Sequence, residues 1–320
     1  MINALKFVQG AVSKKGLVQE MSHFRILEGQ ITSYNGIIAL GSPIDLDFNC
    51  IPKADAMLKA IDKCTDVVKL VLKNNKLQIK SGKFNANINC LQEESVHVVP
   101  EGRYYKFKQG TELLECFKKL LPIIGTDALR PFCTNILLRG SFAFATNNTV
   151  AVQYWLNTDI DTELQIPQVA VKELLRIKKE PVAVQYTDKS LTFHFGDETW
   201  LRTALSCYEW PNIEKVIETE YANYSHTAID SDLFDGLQTV KPFTDSNGKV
   251  FIENNLIRTH EDPDDGATYE LSDNNVYGVY QIDMLLTLKN IATHGNFNRY
   301  PKHAVFTGDS LRGLISGMRL

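Results

Sequence analysis

The chain has 320 residues and a formal net charge of −4, with 44% hydrophobic and 22% charged residues. These proportions are typical of a soluble globular protein and exclude a disordered chain. No window approaches the ~18 uninterrupted apolar residues that a membrane span requires. The N-terminal segment has no basic region before a long apolar core, so we expect no secretion signal and a cytoplasmic protein.

Six cysteines are scattered without a CxxC pair, and we expect them to be reduced and mostly buried. Because acidic residues outnumber the 34 basic ones, the protein cannot attract nucleic acid over its whole surface. The question is whether the basic residues are segregated onto one face.

In chain order, the first third begins with apolar residues at helical spacing: Ile2, Leu5, Val8 and Val12. Alternating strands follow over residues 23–41, with Gly29 at a hairpin turn. A second amphipathic helix starts near Pro52, and the hairpin after it has a second strand that opens with Leu77.

The second and third thirds repeat this order. Helices are predicted over residues 111–125 and 231–243, with Thr111 and Ser231 as N-caps, and alternating strands follow each. In the second third, Gly140 and the Asn147-Asn148 pair suit hairpin turns. Further helices start near Pro167 and Gln281, and their hairpins contain Leu191 and Leu311, the last after a longer loop.

The three turn leucines lie 114 and 120 residues apart, a domain-sized period rather than a solenoid repeat. Each third reads as helix, strands, helix, strands, which predicts an α+β unit with two helices packed on one face of an antiparallel sheet. We expect extended connectors at residues 97–107 and 215–225. The predicted domains are therefore residues 1–107, 108–218 and 219–320.

Basic residues recur on the predicted helices. Lys172, Arg176 and Lys179 fall at i, i+4 and i+7, opposite an apolar face, and Lys59 and Lys63 stand in the same relation. The first helices carry Lys6, Lys14, Lys15, Lys118 and Lys119. Each stripe alone is explained by a solvated helix face, but repetition in an acidic protein favours sequence-independent contact with DNA phosphates.

The chain ends in "SLRGLISGMRL", which stays apolar to its last residue although termini are usually polar. Two explanations stay open from the residues alone. The terminal strand completes a core, or its side chains form the wall of a groove that partner proteins fill.

The second third resembles the β sliding clamp, the processivity subunit of bacterial DNA polymerase III, and its phage-encoded relatives. The similar segments are "LLPIIGTDALRPFCTNILL", "FATNNTVAVQYWL", "IPQVAVKELLRI", "LRTALSCYEWPNIEKVI" and the closing "GMRL". The order of motifs covers the whole chain, although the first and third domains match weakly.

The resemblance implies a head-to-tail homodimer whose six domains close into a ring, with helices lining the hole. The implied partners are double-stranded DNA, a DNA polymerase, a clamp loader and a second copy of the chain, with no membrane. No catalytic residue, metal or cofactor is implied, so we expect no enzyme. For one side of the dimer interface we expect a strand within residues 82–91, "GKFNANINCL".

The resemblance also implies site residues. Carried over by position, a groove for partner peptides uses Cys133, Thr146, Asn148, Val150, Ala151, Pro211, Lys215, Val216, Ser316 and Met318. The DNA-facing residues are Lys6, Lys14, Lys59, Lys63, Lys118, Lys119, Arg130, Lys172, Arg176 and Lys179.

Some positions depart from the family pattern. Thr149-Val150 replaces a His-Arg pair, which removes cationic donors from the groove. Ser316-Gly317 replaces Met-Pro near the C-terminus, which makes that wall smaller. We therefore expect the groove to prefer a different peptide.

The residues leave two other classes of function open. His260, Glu261, Asp262, Asp264 and Asp265 could hold a cation for a metal-dependent nuclease or hydrolase, but Pro263 and Gly266 favour a solvated hairpin loop. A non-DNA scaffold of three similar domains is the second alternative. The common phosphate-loop, dinucleotide, zinc and acyl-transfer motifs do not occur in the sequence.

Overall fold

The computed structural model describes residues 1–13, 18–92, 97–222, 225, 227–262, 264–272 and 275–319. These ranges contain seven α-helices: α1 (Ile2–Val8), α2 (Ala54–Asp62), α3 (Leu113–Leu120), α4 (Gln168–Ile177), α5 (Ile213–Tyr221), α6 (Ser231–Val240) and α7 (Ile282–Leu288). Short 3₁₀ turns cover Gln9–Ala11, Gln19–Ser22, Leu121–Ile123, Pro131–Thr134 and Lys241–Phe243.

The same ranges contain twenty β-strands. They are β1 (Arg25–Leu27), β2 (Gln30–Tyr34), β3 (Ile38–Pro43), β4 (Lys69–Lys73), β5 (Lys76–Ser81), β6 (Phe84–Asn89), β7 (Arg103–Lys106), β8 (Asn135–Thr146), β9 (Val150–Pro167), β10 (Ala183–Tyr186), β11 (Ser190–His194), β12 (Trp200–Ala204), β13 (Thr227–Ala228), β14 (Lys249–Glu253), β15 (Leu256–Arg258), β16 (Thr268–Glu270), β17 (Gly278–Gln281), β18 (His294–Asn296), β19 (Ala304–Gly308) and β20 (Leu311–Ile315). No helix in the described part of the chain is both long and apolar enough to cross a membrane.

The chain divides into two compact units, and every sheet lies within one of them. The first unit comprises Met1–Gln109 and Val169–Leu205, and the second comprises Gly110–Gln168 and Ser206–Leu320. Each unit draws on two of the three predicted domains, so the boundaries near residues 107 and 218 stay a prediction. The predicted α+β class, with antiparallel sheets and repeated helix pairs, is confirmed.

The first unit contains a seven-stranded sheet in the order β1-β2-β3-β12-β11-β10-β7 and a three-stranded sheet in the order β4-β5-β6. Helix α1 packs against β2, β3 and α2 because its apolar stripe places Leu5 and Val8 on one face, where both are fully buried. Leu40 and Leu201 pair across β3 and β12 and are equally buried. Burial of each such side chain contributes about 1.5–3 kcal/mol.

The second unit contains a six-stranded sheet in the order β13-β18-β19-β20-β9-β8 and a four-stranded sheet in the order β16-β15-β14-β17. Helix α3 packs on β8 and β9, and α6 packs on α7, β15 and β16. Helix α5 packs on β9 and β20, where Ile213 and Ile217 join Phe144, Val305 and Leu314 in one apolar cluster.

The hairpins β2–β3 and β8–β9 are built alike. The side-chain oxygen of Asn35 accepts from the backbone N–H of Ile38 at 3.0 Å, and that of Asn147 accepts from Val150 at 2.7 Å. Such asparagine turns fix the hairpin locally, independent of the rest of the sheet. The predicted turn at Asn147-Asn148 is confirmed, with Asn148 at a φ of 73°.

The following strand docks on each hairpin in the same way. Ala204 donates its backbone N–H to Ile37 O at 3.1 Å, and Ser316 donates to Thr149 O at 2.8 Å. Ala204 and Ser316 are therefore equivalent positions of the internal repeat. Four residues before Ala204 and Ser316, Trp200 and Arg312 are therefore equivalent as well. Trp200 pairs with Gly41 and Arg312 pairs with Gln153, so Gly41 and Gln153 are also equivalent.

Several local predictions were wrong. Gly140 does not lie at a hairpin turn but within β8, where the register against β9 shifts, and its φ of 55° suits a bulge. Leu311 opens the third strand after its helix, whereas Leu77 and Leu191 lie in the second, because the expected loop contains β18. The three residues of β18 (His-Gly-Asn) carry no apolar alternation that could indicate a strand.

The segment expected as an extended connector at residues 215–225 is mostly helix α5, which ends at Tyr221. The side chain of Asn212 caps this helix by accepting from Lys215 N. Asp230 rather than Ser231 caps α6, and Glu112 rather than Thr111 precedes α3. In the other predicted connector, Arg103–Lys106 forms β7.

Candidate functional site

A cleft of about 120 Å³ lies in the second unit, where the β8–β9 hairpin, the end of β20 and the start of α5 meet. Its lining consists of Thr146, Asn148, Thr149, Val150, Ala151, Pro211, Ile213, Val216, His303, Leu314 and Ser316. We call it the peptide cleft, after the partner-peptide groove that the sequence resemblance implies. Its walls are mainly small or apolar side chains, with backbone polar groups at the hairpin.

The hairpin side of the peptide cleft is held by local hydrogen bonds. Thr146 Oγ1 donates to Val150 O at 2.8 Å and accepts from Asn148 N at 3.0 Å. Asn147 Oδ1 also accepts from Thr149 N at 3.0 Å. These bonds fix the turn without a partner molecule, so the wall is preformed.

The helix side is set by the apolar stripe of α5. Ile213 and Ile217 are buried against the sheet, which turns Val216 toward solvent at 45% exposure beside the cleft. Pro211 immediately precedes the cap residue and is also exposed. The result is an accessible apolar rim at the first turn of a helix.

Seven of the groove residues implied by the resemblance line this cleft: Thr146, Asn148, Val150, Ala151, Pro211, Val216 and Ser316. The other three lie outside its lining. Lys215 is exposed on α5, and Met318 is half-buried, where its backbone N–H donates to Val279 O at 2.8 Å.

Cys133 is the third residue outside the lining, and it is only 1% exposed. Burial raises the pKa of the Cys133 thiol, an effect that the nearby Arg130 guanidinium partly offsets. A buried, protonated thiol is an inert packing residue, so we do not expect Cys133 to contact a bound peptide. All six cysteines are free thiols, of which Cys50, Cys116 and Cys133 are buried.

Thr149, which the sequence analysis noted as a replacement within the groove, also lines the cleft. Three further lining residues were missed by sequence reasoning: Ile213, His303 and Leu314. Leu314 lies two residues before Ser316, so strand periodicity could have identified it. Ile213 was missed because α5 was not recognised as a helix. His303 precedes β19 in a loop, and nothing in its local sequence indicates that it faces the cleft.

In the first unit, the basic residues of α1 and α2 are exposed. Lys6 lies on the solvent side of α1, and Lys63 lies at the C-terminal end of α2. Lys59 Nζ pairs with Asp55 at 2.7 Å, but both side chains are about 70% exposed or more. Exposed pairs of this kind contribute little stability, so Lys59 can exchange its carboxylate for a phosphate.

The stripe predicted on α4 is only partly present. Lys172 is exposed on the helix, but α4 ends at Ile177, and Lys178 has a φ of 58°, so Lys179 lies beyond the helix. Pro181 follows shortly after, which is typical of a helix end. Lys179 instead donates to Asp197 and lies 5.6 Å from the Phe7 ring centroid.

The contact between Lys179 and Asp197 affects the titration of the carboxylate. Burial raises the pKa of Asp197, but hydrogen bonds from Lys179 and Thr199 outweigh this effect and hold that pKa below its usual value. Lys179 is therefore engaged in a local structural interaction.

Arg176 has a structural role as well. Its guanidinium donates to Glu173 Oε1 at 2.6 Å and to Phe7 O at 2.9 Å, which ties α4 to α1. Glu173 is only 8% exposed and needs this partner. A buried carboxylate without a partner is unfavourable, so Arg176 is needed for the fold whatever its role toward DNA.

We expect Arg176→Ala to lower the free energy of unfolding by about 1.5–3 kcal/mol, because charge-assisted hydrogen bonds to a buried carboxylate are lost. Urea unfolding followed by circular dichroism measures this change. Lys172→Ala on the same helix is the matched control and should leave the urea midpoint nearly unchanged. Equal midpoints for the two variants would contradict the structural role of Arg176.

In the second unit, Lys118 is exposed and lies 3.7 Å from Glu115. The Lys119 side chain is only 14% exposed, and its Nζ donates to Asp309 O at 3.3 Å. Arg130 is exposed on its loop, 4.0 Å from Asp127. Lys118 and Arg130 can therefore reach a phosphate, while Lys119 is held against the protein. Lys14 lies outside the described residues.

Residues 260–262, 264 and 265 lie between β15 and β16, which pair antiparallel, so the predicted hairpin is confirmed. Pro263 lies outside the described residues. Asp262 Oδ1 accepts from Asp264 N at 3.0 Å, and Arg258 donates to Glu261 O at 2.8 Å. Among the residues that the structure describes, no group of three or more His, Cys, Asp or Glu side chains could hold a metal ion.

No family model and no curated protein matches the sequence. Solved structures of bacterial sliding clamps, in contrast, match over the whole chain. The DNA polymerase III β subunit of Pseudomonas aeruginosa is 14% identical with a TM-score of 0.82, and the Bacillus subtilis sliding clamp is 14% identical with a TM-score of 0.81. The Helicobacter pylori β clamp bound to a DNA ligase peptide is 16% identical with a TM-score of 0.77.

In each of these three matches the alignment covers 100% of this chain and 97% of the solved chain. Such low sequence identity with full coverage means that the similarity resides in the order and packing of elements rather than in retained residues. The fold implied by the sequence resemblance is thus confirmed: the chain has the fold of the bacterial β sliding clamps.

Proposed function

We propose that this chain is a DNA sliding clamp, a non-enzymatic protein of the cytoplasm that encircles duplex DNA and tethers a DNA polymerase to it. Fold alone does not establish a function, because one fold hosts many. The observation that carries the proposal is a preformed apolar cleft at the position where the resemblance implies the partner groove. A scaffold unrelated to DNA explains each exposed helix lysine only as part of a solvated helix face and gives no reason for their recurrence on several helices.

The partner at the peptide cleft is an extended peptide with apolar side chains, contributed by the polymerase or the clamp loader. The cleft offers an apolar rim at Val216 and Pro211 and backbone groups at the hairpin, the combination that binds short linear segments. A DNA ligase peptide is bound by the Helicobacter pylori clamp, which supports this class of ligand. Small side chains at Ala151 and Ser316 favour a bulkier peptide side chain.

The DNA contact is made by exposed lysines and an arginine on the helices and their adjoining loops. Lys6, Lys59, Lys63, Lys118, Lys172 and Arg130 are all exposed. Contacts of lysine and arginine with phosphates carry no sequence information and weaken with salt, so they permit sliding.

Two copies of the chain assemble head to tail. Each contributes the three predicted domains 1–107, 108–218 and 219–320, so the ring contains six domains. Within each unit, strand pairing already joins two of the predicted domains. Strand β12 of the second predicted domain pairs antiparallel with β3 of the first, and β20 of the third pairs antiparallel with β9 of the second. The corresponding edges are β6 of one copy and β16 of the second. Like β12 and β20, β6 is the third strand after its helix, and both β6 and β16 lie at an edge of their sheets.

The backbone groups of these two edges are oriented for pairing. Cys90, just after β6, donates its backbone N–H to Asn75 O. Along an antiparallel strand, successive residues direct their backbone groups alternately toward and away from the neighbouring strand. Asn85 and Asn87 therefore direct theirs away from β5. Leu271 N donates to Asn255 O, so Glu270 directs its backbone groups away from β15. Unpaired edges of this kind are templates for another strand.

Charge supports the same pairing. The three-stranded sheet and its turn carry five exposed lysines: Lys69, Lys73, Lys76, Lys80 and Lys83. Around β16 the exposed charges are acidic: Glu261, Asp262, Asp264, Asp265 and Glu270. Opposite charge on two edges accelerates association and fixes which edges pair.

We expect Asn87→Pro to shift the chain from dimer to monomer in sedimentation velocity. Proline removes the backbone N–H that faces outward from β6, and it is tolerated on edge strands where that group faces solvent. Asn87→Thr keeps the N–H and is the matched control, which should stay dimeric. A folded Asn87→Pro variant that remains dimeric would exclude β6 from the interface.

The test of the function is primer extension on a singly primed circular template with the DNA polymerase and clamp loader of the source organism. The chain should lengthen the products made in one polymerase binding event. Incubation of the chain with DNA and Mg²⁺ or Mn²⁺ should leave the DNA intact. Cleavage that Asp262→Ala and Asp264→Ala abolish would instead establish the nuclease alternative.

A further inference from the structure

A second cleft lies in the second unit, on the same sheet face as the peptide cleft but at the C-terminal end of α5. It encloses about 430 Å³ and is lined chiefly by Phe142, Gln153, Trp155, Tyr221, Leu311 and Arg312. We call it the Trp155 cleft. Its volume lies within the range of pockets that bind small ligands or single large side chains.

The walls of the Trp155 cleft are aromatic and accessible. The Trp155 side chain is 49% exposed, an unusual state for an indole that lies on a central strand of a sheet. Phe142 pairs with Trp155 across β8 and β9 and is only partly buried. Exposed aromatic surface at a concave site is typical of a binding surface.

The side-chain amide of Gln153, which lines this cleft, has a satisfied oxygen but an unsatisfied nitrogen donor. Gln153 is only 2% exposed, and its Oε1 accepts from Arg312 Nε at 2.7 Å. Its Nε2 is buried and has no hydrogen-bond acceptor within the described ranges. An unsatisfied buried donor is unfavourable by about 1–3 kcal/mol, so the site favours a ligand that supplies an oxygen.

Arg312 supplies positive charge beside that amide. Its guanidinium lies 5.5 Å from the Tyr221 ring centroid, which orients it by a cation–π contact. In the part of the chain that the structure describes, no carboxylate lies within ion-pair distance of Arg312. The oxygen that the site favours is therefore carried by an anion, and a carboxylate suits both donors.

The internal repeat shows which side chain covers the equivalent position of the first unit. In the first unit, Trp200 and Gly41 occupy the places of Arg312 and Gln153. The Trp200 indole covers Gly41 so closely that a Cβ there would lie 2.1 Å from the ring, and Trp200 is 7% exposed. At the equivalent pair in the second unit, the residue opposite Gln153 is Arg312 and not an aromatic side chain.

We propose that the Trp155 cleft binds an aromatic side chain followed by an aspartate or glutamate in an extended segment of a partner protein. The aromatic ring packs between Phe142 and Trp155, and the carboxylate accepts hydrogen bonds from Arg312 and Gln153. This inference rests on the proposed function in one respect: the segment is supplied by a protein that binds the clamp. Because α5 lies between the two clefts, this segment is distinct from the peptide that fills the peptide cleft.

The probe is the synthetic peptide acetyl-Gly-Ser-Trp-Glu-Gly-Ser-amide, titrated into the ¹⁵N-labelled full-length chain. The indole N–H signals of the three tryptophans, assigned by single Trp→Phe variants, report binding. The Trp155 signal should shift saturably at millimolar or lower concentration, and the Trp200 signal should not move. Probes with Trp→Ala or Glu→Gln should bind at least about tenfold more weakly, which is 1.4 kcal/mol or more.

Two variants separate this site from the peptide cleft. Arg312→Gln should weaken binding of the probe at least about tenfold. An unchanged signal from Trp210, which packs against the apolar cluster of the second unit, is the evidence that this unit is folded. Val216→Glu, which changes the peptide cleft, should bind the probe as the parent chain does.

No saturable Trp155 shift up to about 5 mM probe would overturn the proposal. Equal affinity for the Glu→Gln probe, or in Arg312→Gln, would overturn it as well, and so would loss of binding in Val216→Glu. None of these outcomes depends on whether the chain stimulates a polymerase, so failure here and failure of the clamp function are distinguishable.

Discussion

Val216→Glu is expected to abolish stimulation of the DNA polymerase while leaving the chain folded and dimeric. Val216 is 45% exposed on the first turns of α5, so a larger polar side chain fits there without disturbing the core. When a peptide covers the cleft, however, the carboxylate is removed from water beside apolar side chains. An unpaired charge in such a place is unfavourable by several kcal/mol, and each 1.4 kcal/mol weakens binding about tenfold.

The measurement for Val216→Glu is the length of products from primer extension with the cognate polymerase and loader. Glu218→Gln, on the exposed side of the same helix, is the matched control and should stimulate as the parent chain does. Full stimulation by a folded Val216→Glu chain would refute the peptide cleft as the polymerase contact.

Substitution tests the cleft more cleanly than removal of the last five residues. We expect such a truncation to abolish stimulation too, because Ser316 lines the cleft. The same truncation removes the hydrogen bonds from Ser316 N to Thr149 O and from Met318 N to Val279 O. Loss of activity after truncation therefore has two causes, whereas Val216→Glu has one.

Reversal of three helix charges, Lys6→Glu, Lys63→Glu and Lys172→Glu together, is expected to weaken DNA binding by at least about tenfold at low salt. Each lost phosphate contact also lowers the slope of log affinity against log salt by about 0.9. These three lysines are chosen because Arg176 and Lys179 hold Glu173 and Asp197, so that changes there alter the fold first.

Fluorescence anisotropy of a labelled DNA duplex at several salt concentrations measures this effect. The matched control is the triple Lys→Arg variant, which keeps the charge and should keep both affinity and salt slope. If the triple Lys→Glu variant bound with an unchanged salt slope, these helices would face bulk water in the functional assembly rather than DNA.

Much of the fold could be predicted from the sequence because the repeat is encoded by side-chain periodicity. The stripe of Leu5 and Val8 fixes α1, and the asparagine turn at Asn147 fixes the β8–β9 hairpin, each through local physics. Helix α5 was missed because Val216, Ile217 and Thr219 are β-branched and favour strands intrinsically. Packing of Ile213 and Ile217 on the sheet overrides that preference.

For the candidate site, too, some residues could be predicted from the sequence and others could not. Val150, Ala151 and Ser316 line one cleft, as expected if strand positions carry over between distant relatives without a change of register. Their role in binding a partner peptide stays a prediction. Arg176 and Lys179 look like members of a cationic stripe in sequence, but their partners Phe7 and Asp197 are brought to them only by the fold. Helix spacing alone does not show whether a charge faces solvent or holds another element.

The claim that the chain closes around DNA is tested most directly by topology. Fluorescently labelled protein is loaded onto a nicked circular plasmid by its clamp loader, and the DNA is separated from free protein by gel filtration in moderate salt. The account predicts that protein stays with the circle and leaves when a restriction enzyme cuts the plasmid once. Equal retention on circular and linear DNA, or none on either, would contradict it.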